Sequence, residues 1–219
     1  MRPYLLIAAT LIAVVCIYAG VQRRNEQPVN AVPPSRGGHD LIGKPISELT
    51  FDRWLNTKDN QPIETNGHVT LYRWWTDTCP FCAASLPAIE QLRRKYDDQG
   101  FRTICVYHPK PPRSVDDETI AEVAGDFGYA GPIAVDEDWS QLIHAYLADG
   151  RRQATSVSIL VDTTGIIRYI HPGPVFFGSD DPEHKQENED YLALDTAISV
   201  LLQEEAETRN KQADSGDPQ

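Results

Sequence analysis

The run Val69-Thr70-Leu71-Tyr72-Arg73-Trp74-Trp75-Thr76-Asp77-Thr78-Cys79-Pro80-Phe81-Cys82 decides the fold. Val69 to Trp75 is apolar enough to read as a buried strand. Cys79 to Tyr96 reads as a helix, with Ala84, Leu86, Ala88, Ile89 and Leu92 as its apolar positions and Gly100 stopping the segment. The two cysteines therefore flank the first turn of a helix that leaves a strand. A helix amino terminus carries partial positive charge, which favours a thiolate over a thiol and makes Cys79 a nucleophile. Pro80 suits the first helical position. Cys82, one turn later, is within reach to attack a mixed disulfide on Cys79 and release the partner. A structural disulfide or half a zinc site is the alternative. Zinc needs about four ligands, no second CxxC exists, and His108 and His171 lack ligand spacing. No metal and no cofactor is therefore expected.

The strand and helix extend outward into an alternating pattern. Phe101 to Tyr107 reads as a buried strand containing Cys105, a small core residue. A helix over Asp116 to Phe127, a short strand over Ile133 to Val135 and a helix over Trp139 to Leu147 follow. Thr155 to Val161 and Ile166 to Ile170 are joined by the turn Asp162-Thr163-Thr164-Gly165 and read as a hairpin. Asp190 to Glu204 reads as the last helix. Before the CxxC, Leu49 to Leu55 reads as a strand joined to Val69 by the polar stretch 56–67. Pro87 is expected to kink its helix. The expected fold is α/β, a central mixed sheet flanked by helices. His108 ends a strand parallel to the one before Cys79, so it opens on the crevice where ligands of such sheets bind. His171 ends the last strand. Either could assist proton transfer, and a locally bonded loop histidine is the ordinary alternative. Trp75 is read as packing beside the cysteines.

Of the 219 residues 41% are hydrophobic, enough for a real core, and the formal net charge is -12. That charge argues against nucleic acid and against an anionic lipid surface as the main partner. Tyr4 to Val21 holds 18 residues without a charge. As a helix they would span about 27 Å, close to a bilayer core. A cleaved signal peptide competes, but no small-residue cleavage site ends the run. Residues 1–21 are thus read as an N-terminal membrane anchor. Residues 22–40, with Pro28, Pro33, Pro34, Gly37 and Gly38, are read as a flexible linker, 41–205 as the folded domain, and 206–219 as a disordered acidic tail.

The segment Trp74-Trp75-Thr76-Asp77-Thr78-Cys79-Pro80-Phe81-Cys82 resembles the CxxC segment of the thioredoxin superfamily. The inserted helix and strand between 115 and 135, with the anchor, are similar to the TlpA-like, or redoxin-domain, thiol–disulfide oxidoreductases. Val106 to Pro111 and Thr155 to Asp162 resemble segments of the same subgroup. The resemblance implies thiol–disulfide exchange on protein thiols or disulfides, a redox-recycling partner, and a periplasmic-side domain tethered to the membrane. It also implies a peptide-binding rim formed by Thr155, Ser156, Pro80 and Phe81. A peroxiredoxin-like peroxidase and a copper chaperone of the same fold are alternatives. Two positions depart from the family pattern. Ser156 stands where the family carries a cis-proline. A cis bond before serine costs about 2.5–4 kcal/mol, so a trans bond and a less rigid segment are expected. Arg73 stands where many thioredoxins carry a buried acid. It either faces the cysteines, lowering their thiol pKa, or snorkels to an edge.

Overall fold

The computed structural model describes residues 31–147, 150, 152–173 and 175–215. The anchor Tyr4 to Val21 and residues 22–30 lie outside them. Among the described residues no helix is long and apolar enough to cross a membrane.

Six strands form one mixed sheet: β1 (Trp54–Leu55), β2 (Val69–Trp75), β3 (Phe101–Tyr107), β4 (Ile133–Val135), β5 (Ser158–Val161) and β6 (Ile167–His171). Their order is β1-β4-β3-β2-β5-β6. β2 pairs parallel with β3, and β3 with β4; β5 is antiparallel to β2 and to β6. Helix α1 (Pro80–Lys95) crosses back from β2, and α2 (Asp117–Asp126) belongs to the insertion. A short α3 (Ser140–Leu142) and a long α4 (Lys185–Ser215) complete the fold.

Alternation along β2 divides the core. Val69, Leu71 and Trp75 face a cluster with Leu86, Ile89 and Leu92 of α1, Ile120 of α2 and Leu194, Ile198 and Leu201 of α4. Tyr72 and Trp74 face a second cluster with Trp54, Leu142, Tyr146 and Ile170. Arg73 shares the parity of Leu71 and Trp75, so it points beneath α1. Strand register sets Cys105 and Ser158 beside it, and His171 beside Ser158. Cys105, Arg73, Ser158 and His171 thus form a buried polar row across four strands.

Several boundaries differ from the expected ones. β1 covers two residues rather than Leu49 to Leu55, because it pairs only with the three-residue β4; Leu49 and Phe51 pack as loop on the second cluster. Helix α1 runs through Pro87 without a break. The Trp139–Leu147 helix is α3 followed by a π turn over Ile143–Leu147. Trp139 itself is left-handed, with φ 66°. Its indole donates to the Pro109 carbonyl at 2.7 Å and packs edge-on against His108.

The linker reading of 22–40 does not hold for residues 31–40. Ser35 is buried, its hydroxyl accepts from the Ile170 amide at 2.9 Å, and Arg36 pairs with Asp190 at 2.8 Å. β6 is an edge strand, and this segment covers its free backbone groups. The disordered-tail reading fails for 206–215, where α4 continues to Ser215. Helix-forming residues and bonds one turn apart, Gln203 to Glu207 at 2.9 Å and Thr208 to the Glu204 carbonyl at 2.9 Å, extend it. Residues 216–219 lie outside the described part.

Candidate active site

Cys79 is the N-cap of α1, with extended backbone (φ -104°, ψ 110°), and Pro80 takes the first helical position. The Cys79 carbonyl accepts from the Cys82 amide at 3.0 Å, which closes the first turn over the pair. Both thiols are free. Cys79 is half-buried beside exposed Pro80 and Phe81, the latter 51% exposed, whereas Cys82 is 0% exposed.

The Thr155–Ser156 bond is trans. Ser156 is buried, and its hydroxyl lies 3.3 Å from the Cys82 sulfur. In the segment opposite the cysteines, where the family carries a proline ring, the Ser156 hydroxyl meets Cys82 and its carbonyl accepts from Arg73. The Ser156 side chain is turned inward to Cys82, leaving half-buried Thr155 at the rim.

Arg73 does not snorkel to an edge. It is 0% exposed, and its Nη1 donates to the Ser156 carbonyl at 2.9 Å, Ser158 Oγ at 3.2 Å and the Gly173 carbonyl at 3.5 Å. Its guanidinium lies 5.3 Å from the centre of the Phe176 ring. A Cβ at Gly173 would sit 3.0 Å from the His171 ring, so glycine leaves that ring its space. Burial pushes the Arg73 pKa down, and its interactions with Cys82, Cys105 and Cys79 favour its charged form, Cys82 most. Burial likewise pushes the Cys82 thiol up, while Arg73 and then the Ser156 hydroxyl pull it back. Cys105, fully buried, is pushed up to about 12 by desolvation.

The two histidines flank this centre, both within reach of the Arg73 charge. His108 follows β3; burial lowers its pKa to about 4, against a weaker contact with the Thr155 backbone that favours its charged form. His171 Nε2 lies 3.2 Å from Asp190, and burial followed by the Arg73 charge lowers its pKa. Trp75 is fully buried between Tyr107 and Phe127, a packing role.

Sequence reasoning missed Ser85, Ser158, Phe176 and Asp190. Ser85 Oγ donates to the Phe81 carbonyl at 2.8 Å and accepts from the Phe176 amide at 3.2 Å, tying the loop after β6 to α1. Ser158 could have been found from strand parity with Ser156. Phe176 and Asp190 carry no local signal, because only the fold brings them near.

A thioredoxin-like sheet with a CxxC at the start of its first long helix defines a thiol–disulfide oxidoreductase. The family model described as Redoxin matches residues 43–185, and the chain belongs to that family. It is 28% identical over 133 residues to thiol-disulfide oxidoreductase YkuV of Bacillus subtilis, a match covering 60% of this chain and 86% of the relative. It is 28% identical over 110 residues to thiol-disulfide oxidoreductase ResA of Halalkalibacterium halodurans, covering 50% of this chain and 57% of that one. The fold matches that of a thiol-disulfide isomerase from Corynebacterium glutamicum with a TM-score of 0.53 at 23% identity, over 72% of this chain and 96% of the other.

Proposed function

We propose that Cys79 is the attacking thiol and Cys82 the resolving thiol in exchange with protein thiols and disulfides. The observation that carries this is the asymmetry of the pair. Cys79 is reachable at the helix start beside exposed Phe81, and Cys82 is sealed beneath it. Cys79 thiolate attacks one sulfur of a partner disulfide, forming a mixed disulfide and releasing the other partner sulfur as a thiolate. Cys82 then attacks Cys79, forming the Cys79–Cys82 bond and releasing the second partner thiolate. The partner gains two electrons and the pair loses them; the reverse sequence oxidises a dithiol. Phe81, Pro80 and the Thr155 backbone form the rim that an extended polypeptide would meet.

A redox partner recycles the pair, and Tyr4 to Val21 tethers the domain to a membrane on its periplasmic side. Limiting iodoacetamide tests the role assignment: peptide mapping should find Cys79 alkylated well before Cys82, and preferential labelling of Cys82 would reverse the roles. Protease added to spheroplasts tests the topology. Digestion of the domain supports it, and protection until lysis contradicts it.

A further inference from the structure

Resolution requires Cys82 to lose a proton where its sulfur has no access to water. A buried thiolate without compensation is costly. The polar row beneath α1 sets a permanent cation at that place, since an arginine keeps its charge at any working pH. We propose that Arg73 and Ser156 act together as positioning residues for Cys82, Arg73 compensating the charge of its thiolate and the Ser156 hydroxyl donating to its sulfur. This rests on the reading of Cys82 as the resolving thiol.

The geometry couples the two residues. Arg73 holds the Ser156 carbonyl at 2.9 Å, and Ser156 holds the Cys82 sulfur at 3.3 Å. Ser158 Oγ and the Gly173 carbonyl also accept from Nη1. These three acceptors are neutral, and they orient the guanidinium. The Phe176 ring, on the loop that Ser85 ties to α1, adds a cation–π contact. The other titratable groups around the centre are Cys79 on the same helix, Cys105 on β3, His108 just after β3, and His171 on β6 with Asp190 of α4 behind it. In the step itself the Cys82 proton leaves to solvent. The thiolate attacks Cys79, the Cys79–Cys82 bond forms, and the bond between Cys79 and the partner breaks.

The test is stopped-flow reaction of the full chain, carrying Cys16→Ser, with dithionitrobenzoate, an aromatic disulfide whose released thiolate is coloured. The first phase reports attack by Cys79 and the second reports resolution by Cys82. An opposite charge within about 4–6 Å shifts a titrating group by about one to three pH units. In Arg73→Met the midpoint of the second phase should therefore rise by about one to three pH units, slowing it at least about tenfold at pH 7. The first phase should fall less than the second, because Arg73 interacts less with Cys79 than with Cys82. Arg73→Lys should recover part of the second-phase rate, and Ser156→Ala should raise the midpoint by less than Arg73→Met. Circular dichroism reports folding; if Arg73→Met does not fold, Ser156→Ala carries the test. An unchanged second-phase midpoint in the folded variant, with the first phase intact, overturns the proposal and leaves the thiol roles standing. An equal fall of both phases also overturns it. A fast first phase in Cys79→Ser overturns the role assignment and the proposal together.

Discussion

Acid should destabilise this protein through His108, and the size of the effect follows from its surroundings. The ring is fully buried, packs edge-on against Trp139, and neither nitrogen has a well-formed hydrogen bond among the described residues. Burial holds its pKa at about 4, against 6.5 for an unperturbed histidine. The unfolded chain therefore takes up a proton near pH 6.5 that the folded protein refuses until about pH 4. The stability this neutral ring contributes is complete above pH 6.5 and drains away as the pH falls through that window. Integrated over it, the loss is about 3 kcal/mol by pH 4. His108→Phe keeps an aromatic ring against Trp139 and removes the titration. Urea unfolding of both proteins from pH 7 to pH 4 should show the variant losing about 3 kcal/mol less than wild type. His171 titrates in both proteins and cancels in the difference. Parallel stability profiles would refute the reasoning.

Two further outcomes are expected. Asp136 accepts from Trp74 Nε1 at 3.2 Å and from the Gln141 and Leu142 amides at 3.0 and 2.9 Å, so it fastens α3 and the Trp74 side of the sheet. Asp136→Ala strands buried donors and should cost about 3 kcal/mol in chemical denaturation. Phe81 is 51% exposed, so Phe81→Ala should leave the melting temperature within about 2 °C while raising KM for a protein disulfide several-fold, by the loss of one aromatic contact worth about 1 kcal/mol.

The strand–CxxC–helix junction was legible because three local signals agree there: an apolar run, cysteines at the helix start and proline in the first turn. The hairpin was legible for a similar reason, with its turn residues between two apolar runs. Element ends were not. Leu49 to Leu55 has strand composition, yet among the described residues it pairs only with β4, three residues long. The ten residues before Leu41 read as linker because proline and glycine dominate, whereas Ser35 and Arg36 are recruited by the open edge of β6. The last helix outran its apolar stripe because residues 206–215 need only helix propensity and turn-to-turn bonds. At the site, Arg73 could not be oriented from its neighbours alone. Strand parity placed it on the α1 face, and the acceptors that hold it come from the segment just before β5, from β5 itself and from the loop after β6, 83 to 100 residues away.

The most direct test of the thiol–disulfide account is trapping of mixed disulfides in cells producing Cys82→Ser or Cys79→Ser, each in the full chain. After acid quenching and alkylation, Cys82→Ser should carry partner proteins through Cys79, released by reductant and identified by mass. Cys79→Ser should carry none. Partners held by Cys79→Ser and absent from Cys82→Ser would contradict the assignment of the two thiols, and partners on neither would contradict exchange with proteins altogether.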